Sequence, residues 1–170
     1  MKIVSIFADR LFAFHYEDEV DNEFDRLMDV WTDISYLHAF AKRNHVIDVY
    51  GFIEKILRQV EEIEDLLEEI QQSNDPLDRY FQPLLSSEYF KRRLTLHKGK
   101  IRNNQLRIYA IRIDLNCFVI TGGAIKMSQK MIEHKDTELE LNKLKIARNY
   151  LSQYGVFDGD SFFELLNENR

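Results

Sequence analysis

Two β-rich runs, 106–113 and 117–121, lie on either side of the three-residue turn Asp114-Leu115-Asn116. Runs joined so tightly form a hairpin, so the carboxy-terminal half must be built on a sheet. Alternate residues of a strand share a face. Arg107, Tyr109, Ile111 and Ile113 therefore point one way, and Leu106, Ile108, Ala110 and Arg112 the other. Neither set is uniformly apolar, so one face is expected to meet helices and the other to line a cleft. Upstream, 92–97 alternates loosely and reads as a third antiparallel strand, with a turn at Lys98-Gly99-Lys100 and a loop at Asn103-Asn104.

The amino-terminal half obeys a different period. Short apolar runs at 3–7 and 11–16, separated by Ala8-Asp9-Arg10, predict two short strands. From Phe24 the apolar residues Leu27, Met28, Trp31, Ile34 and Leu37 recur at threes and fours, which predicts a helix ending near Arg43-Asn44-His45. Asp21 or Asn22 is placed to cap it. A second helix is predicted over 46–72, with Ile53, Ile56, Leu57, Val60, Ile63, Leu67 and Ile70 as its apolar stripe. The opposite face is acidic, and Asp75-Pro76 stops the helix because proline disfavours a helical residue before it. Residues 77–90 read as an aromatic connector. After the strands, Asp136 or Thr137 opens a helix that ends near Gly155, and 161–167 gives a short final one.

Strands and helices that come in runs rather than alternating argue for an α+β fold. The expected architecture is a small antiparallel sheet packed against two long amino-terminal helices and one or two carboxy-terminal helices. A chain of 170 residues suits one domain over 1–170, with an enlarged acidic helical part at about 20–75. No stretch approaches the roughly 20 apolar residues of a membrane span, and the first apolar run is too short for a signal peptide. The expected location is the cytoplasm. The single cysteine, Cys117, excludes an internal disulfide framework and a cysteine zinc site, and its apolar neighbours suggest a buried thiol.

Charge is divided between the halves. Residues 1–90 hold 8 Lys+Arg against 20 Asp+Glu, and residues 91–170 hold 15 against 9. Basic residues crowd the strand region: Arg92, Arg93, His97, Lys98, Lys100, Arg102, Arg107, Arg112, Lys126 and Lys130, with Tyr109 among them. Cations and aromatic rings on a sheet suit a phosphate backbone and stacked bases. From charge alone the same residues read more simply as a solvated surface or as partners for the acidic helices. Thr121-Gly122-Gly123-Ala124-Ile125-Lys126 lacks the Gly-x-x-x-x-Gly-Lys-Ser/Thr spacing of a phosphate loop, and the paired glycines read as a bulge or a close backbone approach. The histidines His15, His38, His45, His97 and His134 show no metal-ligand spacing. No metal and no cofactor is expected.

Leu106-Arg107-Ile108-Tyr109-Ala110-Ile111-Arg112, a turn, then Cys117 to Lys126, then a helix led by Glu138-Leu139-Glu140-Leu141, resembles the RelE/ParE toxin superfamily, in its HigB-like, phage-derived branch. The likeness covers about residues 90–155. It implies a RelE-like fold and the toxin component of a toxin–antitoxin pair, a metal-independent endoribonuclease acting on messenger RNA at the ribosome. The implied partners are a helix-turn-helix antitoxin and the messenger RNA. A second copy of the chain is a further candidate. By the same resemblance, Arg107 contacts the scissile phosphate, Lys126 and Lys130 match the basic positions after the last strand, and Lys98 and Lys100 match the basic loop; the basic strand region adds Arg102, Tyr109 and Arg112 as RNA-binding candidates, and His97 joins the catalytic candidates as a substitute base. Where relatives carry a Tyr or His near the end of the site, this chain has Met131. The alternative is a non-catalytic protein–protein interaction module on the same fold.

Overall fold

The computed structural model describes residues 1–83, 91–94, 105–127 and 135–169. The chain opens with a hairpin, β1 (Lys2–Phe7) and β2 (Leu11–His15), followed by α1 (Glu23–Thr32), α2 (Ile34–Arg43) and α3 (Val49–Gln72). A turn of 3-10 helix (Leu77–Tyr80) leads to β3 (Phe81–Pro83) and β4 (Lys91–Leu94). Then come β5 (Leu106–Asp114), β6 (Cys117–Ile125), α4 (Lys135–Gln153) and α5 (Gly159–Glu168). The fold is α+β. No helix among the described residues is long and apolar enough to cross a membrane.

The predicted first helix is divided at Asp33, whose extended backbone ends α1 while its carboxylate accepts the Tyr36 N–H and caps α2. One aspartate therefore serves both helices, and a run that reads as one helix bends so that α1 packs on the sheet while α2 packs on α1 and α3. The capping predicted near Asn22 is present, its side chain accepting the Asp25 N–H at 3.1 Å. The α3 stripe is buried at Ile53, Ile56, Val60, Ile63, Leu67 and Ile70, while Glu61, Glu64, Asp65, Glu68 and Glu69 face outward. Fully burying an aliphatic side chain contributes about 1.5–3 kcal/mol, so this stripe dominates the docking of α3.

The sheet corrects the expectation of a small antiparallel one. It has six strands in the order β1-β2-β6-β5-β4-β3. It is mixed, because β2 runs parallel to β6 while the other neighbours are antiparallel. The two short strands predicted at the amino terminus are present and belong to this same sheet, so it begins before the helices, and only α3 of the three amino-terminal helices is long. Leu11 to Phe14 in β2 and all nine residues of β6 are buried, as expected of strands covered on both faces.

Both faces are in fact covered. Leu11, Ala13, Leu106, Ile108, Ala110, Phe118 and Ile120 join the core formed with α1, α2 and α3. Phe12, Phe14, Ile111, Ile113, Cys117 and Val119 pack under α4 and α5. The predicted open cleft on the second face is thus occupied by carboxy-terminal helices along most of the strand length.

Candidate functional site

The sheet register decides where the sequence's cations go. Arg107 lies opposite Ala124, and the Lys126 N–H donates to the Gln105 carbonyl at 2.7 Å, so both residues stand at the same end of β5 and β6. Each is half-buried. The Arg107 Nη1 donates to the Leu106 carbonyl at 3.0 Å. Arg112 lies elsewhere, on the face toward the 3-10 turn, where its Nε donates to Asp78 Oδ1 at 2.9 Å. Tyr109 is 2% exposed. His97, Lys98, Lys100, Arg102 and Lys130 fall outside the described residues.

A second constellation has no counterpart in the sequence reading. The β2–β6 pairing stops at Ala13 opposite Ile120. One residue later the β5–β6 register shifts, Tyr109 facing Gly122 while Ala110 faces Ile120, which leaves Thr121 as the extra residue of a bulge. Beyond the bulge β6 has no strand on its β2 side among the described residues, and side chains satisfy its backbone there instead. The Tyr16 hydroxyl donates to the Thr121 carbonyl at 2.7 Å, and Glu140 Oε2 accepts the Gly123 N–H at 3.1 Å. Gly123 is needed here because a Cβ would lie 2.6 Å from the Arg107 carbonyl, 2.8 Å from Leu27 and 3.0 Å from Trp31. The close approach suggested by the paired glycines is the contact between β6 and α1.

Four charged side chains gather at this open edge. Glu23 on α1 is fully buried; its Oε2 takes the Arg26 Nε at 2.8 Å and its Oε1 takes the Lys143 Nζ at 2.8 Å. Arg26 Nη2 also lies 2.7 Å from Glu23 Oε2, a close ion pair outside hydrogen-bond geometry. One carboxylate therefore engages both cations, as a buried charge requires. Glu140 is left with long contacts, its Oε1 standing 3.5 Å from Arg26 and 3.8 Å from Lys143.

Burial pushes the Glu140 carboxyl up to about 7, with the Glu23 charge adding to it and Lys143, Arg26 and the Gly123 N–H working against it. Burial also raises the Tyr16 phenol, helped by Glu23 and Glu140. Burial opposes the charge on Arg26, yet Glu23 outweighs it and holds the guanidinium above its ordinary value.

This cluster forms the polar side of a cavity of about 450 Å³ between α1, α2, α4 and β6, walled by Trp31, Tyr36 and Phe40. A carboxyl that titrates near neutrality beside such a cavity is able to give or take a proton. The only sequence signals are Glu-x-x-Arg at 23–26 and Glu-x-x-Lys at 140–143. These look like ordinary helix ion pairs, and nothing in either predicts that they meet.

Among the described residues, no grouping of three or more His, Cys, Asp or Glu side chains could hold a metal ion. No protein-family model, curated protein or solved structure matches this chain.

Proposed function

We propose that the chain is the toxin-like component of a toxin–antitoxin pair and acts as a metal-independent endoribonuclease on messenger RNA, with a helix-turn-helix antitoxin as its partner. The observation that carries this reading is the presence of Arg107 and Lys126 at one end of the β5–β6 ladder, where the register holds their backbones rigidly. In sequence, His97, Lys98, Lys100 and Arg102 lead into that end and Lys130 leads away from it. In this reaction the RNA 2′-oxygen bonds to its own phosphate, the bond to the 5′-oxygen breaks, and a base takes the hydroxyl proton. Fixed cations favour the step by stabilising charge that develops on the phosphate oxygens. Gln59 sets α3 against the same strand end, with the acids Glu61, Glu64, Asp65, Glu68 and Glu69 of that helix turned outward to solvent.

Inducible expression in a bacterial host tests the proposal. Wild-type chain should arrest growth and cleave messenger RNA, and Arg107→Ala should abolish both while the purified variant keeps its circular dichroism spectrum. Arrest that survives Arg107→Ala removes Arg107 from the mechanism.

The interaction-module reading has its own support. Arg112 is already paired with Asp78 and the Tyr109 ring is buried, so neither presents a free group to a polyanion in this arrangement. A wild-type chain that causes no arrest and no RNA cleavage favours this second reading.

A further inference from the structure

We infer that the cavity between α1, α2, α4 and the open edge of β6 binds a small organic cation, with Glu140 as its counter-ion and Trp31, Tyr36 and Phe40 as its aromatic wall. The inference is independent of the ribonuclease proposal, since it uses none of the same residues.

The first argument is a surplus carboxylate. The Glu140 side chain is only 10% exposed, and its Oε2 holds the Gly123 N–H. Its Oε1 lines the charged side of the cavity with no described partner closer than 3.5 Å. The two nearby cations are engaged at short range by Glu23. A buried carboxylate held by cations only at 3.5 and 3.8 Å is incompletely compensated, and the cavity gives a closer cation room to reach it.

The second argument is the balance of charge. Glu19, Glu23 and Glu140 meet Arg26 and Lys143 around the site, and Tyr16 adds a phenol held neutral by burial. An incoming anion would face Glu140 and Glu19. An incoming cation would meet Arg26 and Lys143, whose two positive charges are matched by Glu23 behind the cavity wall and Glu19 on it, leaving Glu140 for the ligand.

The third argument is the wall. Cations are attracted to aromatic faces at distances of about 6 Å or less; Trp31 and Tyr36 line the cavity together with Phe40, whose ring also stacks on Tyr36 and Phe52 and carries Arg43. A volume of about 450 Å³ suits a small molecule, not a peptide helix. The chemical class is a primary or quaternary ammonium with a short apolar body.

Binding is then linked to the Glu140 proton. Below neutrality the carboxyl is largely protonated, so an ammonium ligand enters as the proton leaves to solvent, and the charge in the site balances.

Trp31 is the chain's single tryptophan and borders the cavity, so its fluorescence reports occupancy directly. The probes are tetramethylammonium chloride and n-butylammonium chloride at constant ionic strength, with sodium butyrate as the anionic comparison. A saturable change is expected with at least one ammonium salt and not with butyrate. Affinity should be about tenfold higher at pH 8 than at pH 6, following ionisation of a group near 7. Glu140→Gln should weaken binding at least tenfold and remove the pH dependence. Calorimetric titration of the wild type at pH 6 in two buffers of different ionisation enthalpy gives a readout that needs no variant, and should show proton release. The inference is overturned by butyrate binding as well as butylammonium, by an affinity unchanged between pH 6 and pH 8, or by no saturable response to either ammonium salt.

Discussion

Glu140 on α4 takes the Gly123 N–H at 3.1 Å on the stretch of β6 that β2 no longer pairs. A strand edge facing the protein interior leaves donors that must be satisfied. Here a helix side chain does what a neighbouring strand would do, and the sheet edge and α4 become one unit through a single titratable group.

That group should give the protein a characteristic pH dependence. The folded-state value of about 7 lies above the ordinary 4.5, so between these two the folded chain holds a proton that the unfolded chain has released. Stability attributable to Glu140 is therefore fully present below about pH 4.5 and is lost as pH rises to about 7. The loss totals at most about 3 kcal/mol, at 1.36 kcal/mol for each pH unit of difference. Urea midpoints of wild type and Glu140→Gln at several pH values across this window check it. Glutamine keeps an acceptor for Gly123 and has no titration, so the wild-type slope should be steeper than that of the variant by this amount. A variant with the same slope as wild type would exonerate Glu140.

Gln59 on α3 plays a similar role at the start of β5. Its Oε1 accepts both the Gln105 N–H at 2.9 Å and the Leu106 N–H at 3.1 Å, and the residue is 3% exposed. Gln59→Leu keeps the volume and strands two donors, each costing about 1–3 kcal/mol when buried without a partner. The expected destabilisation is about 2–4 kcal/mol in chemical denaturation. Gln59→Glu, which keeps an acceptor, should cost less.

Gly123→Ala would force a methyl group against the Arg107 carbonyl, Leu27 and Trp31. Overpacking of this kind costs about 1–3 kcal/mol. The substitution should lower the thermal midpoint and shift Trp31 emission, because the ring is one of the atoms that must move. Unchanged stability together with unchanged emission would mean that α1 does not press on β6 as described.

The Arg112–Asp78 pair is partly exposed, at 29% and 33% for the two side chains. Its coupling in a double-mutant cycle should therefore be modest, about 0.5–1 kcal/mol. If that ion pair is the main role of Arg112, Arg112→Ala will leave any growth arrest intact while Arg107→Ala removes it. Equal loss of arrest in both variants would return Arg112 to the RNA-facing set.

Much of the local structure was legible because its causes are local. The α3 stripe at Ile53, Ile56, Val60 and Ile63 follows from spacing alone, and the end of α3 from Pro76. The β5–β6 hairpin follows from its β-rich runs and short turn. Asp33 was missed because an aspartate inside a periodic run looks like a solvated position until its cap is seen. The parallel β2–β6 contact was missed because parallel neighbours carry no turn between them.

The charged site was not legible for the same reason on a larger scale. Side-chain periodicity and capping act over a few residues, so the sequence by itself determined which segments became helices and strands, and which of their faces were apolar. Glu23 and Lys143 stand 120 residues apart in the chain and 2.8 Å apart in space. Only the packing of α1 and α4 on either side of an interrupted β6 edge brings them together. That packing alone decides that Glu140, one of several acids at the start of α4 in the sequence, is buried with its proton near neutrality beside an aromatic cavity.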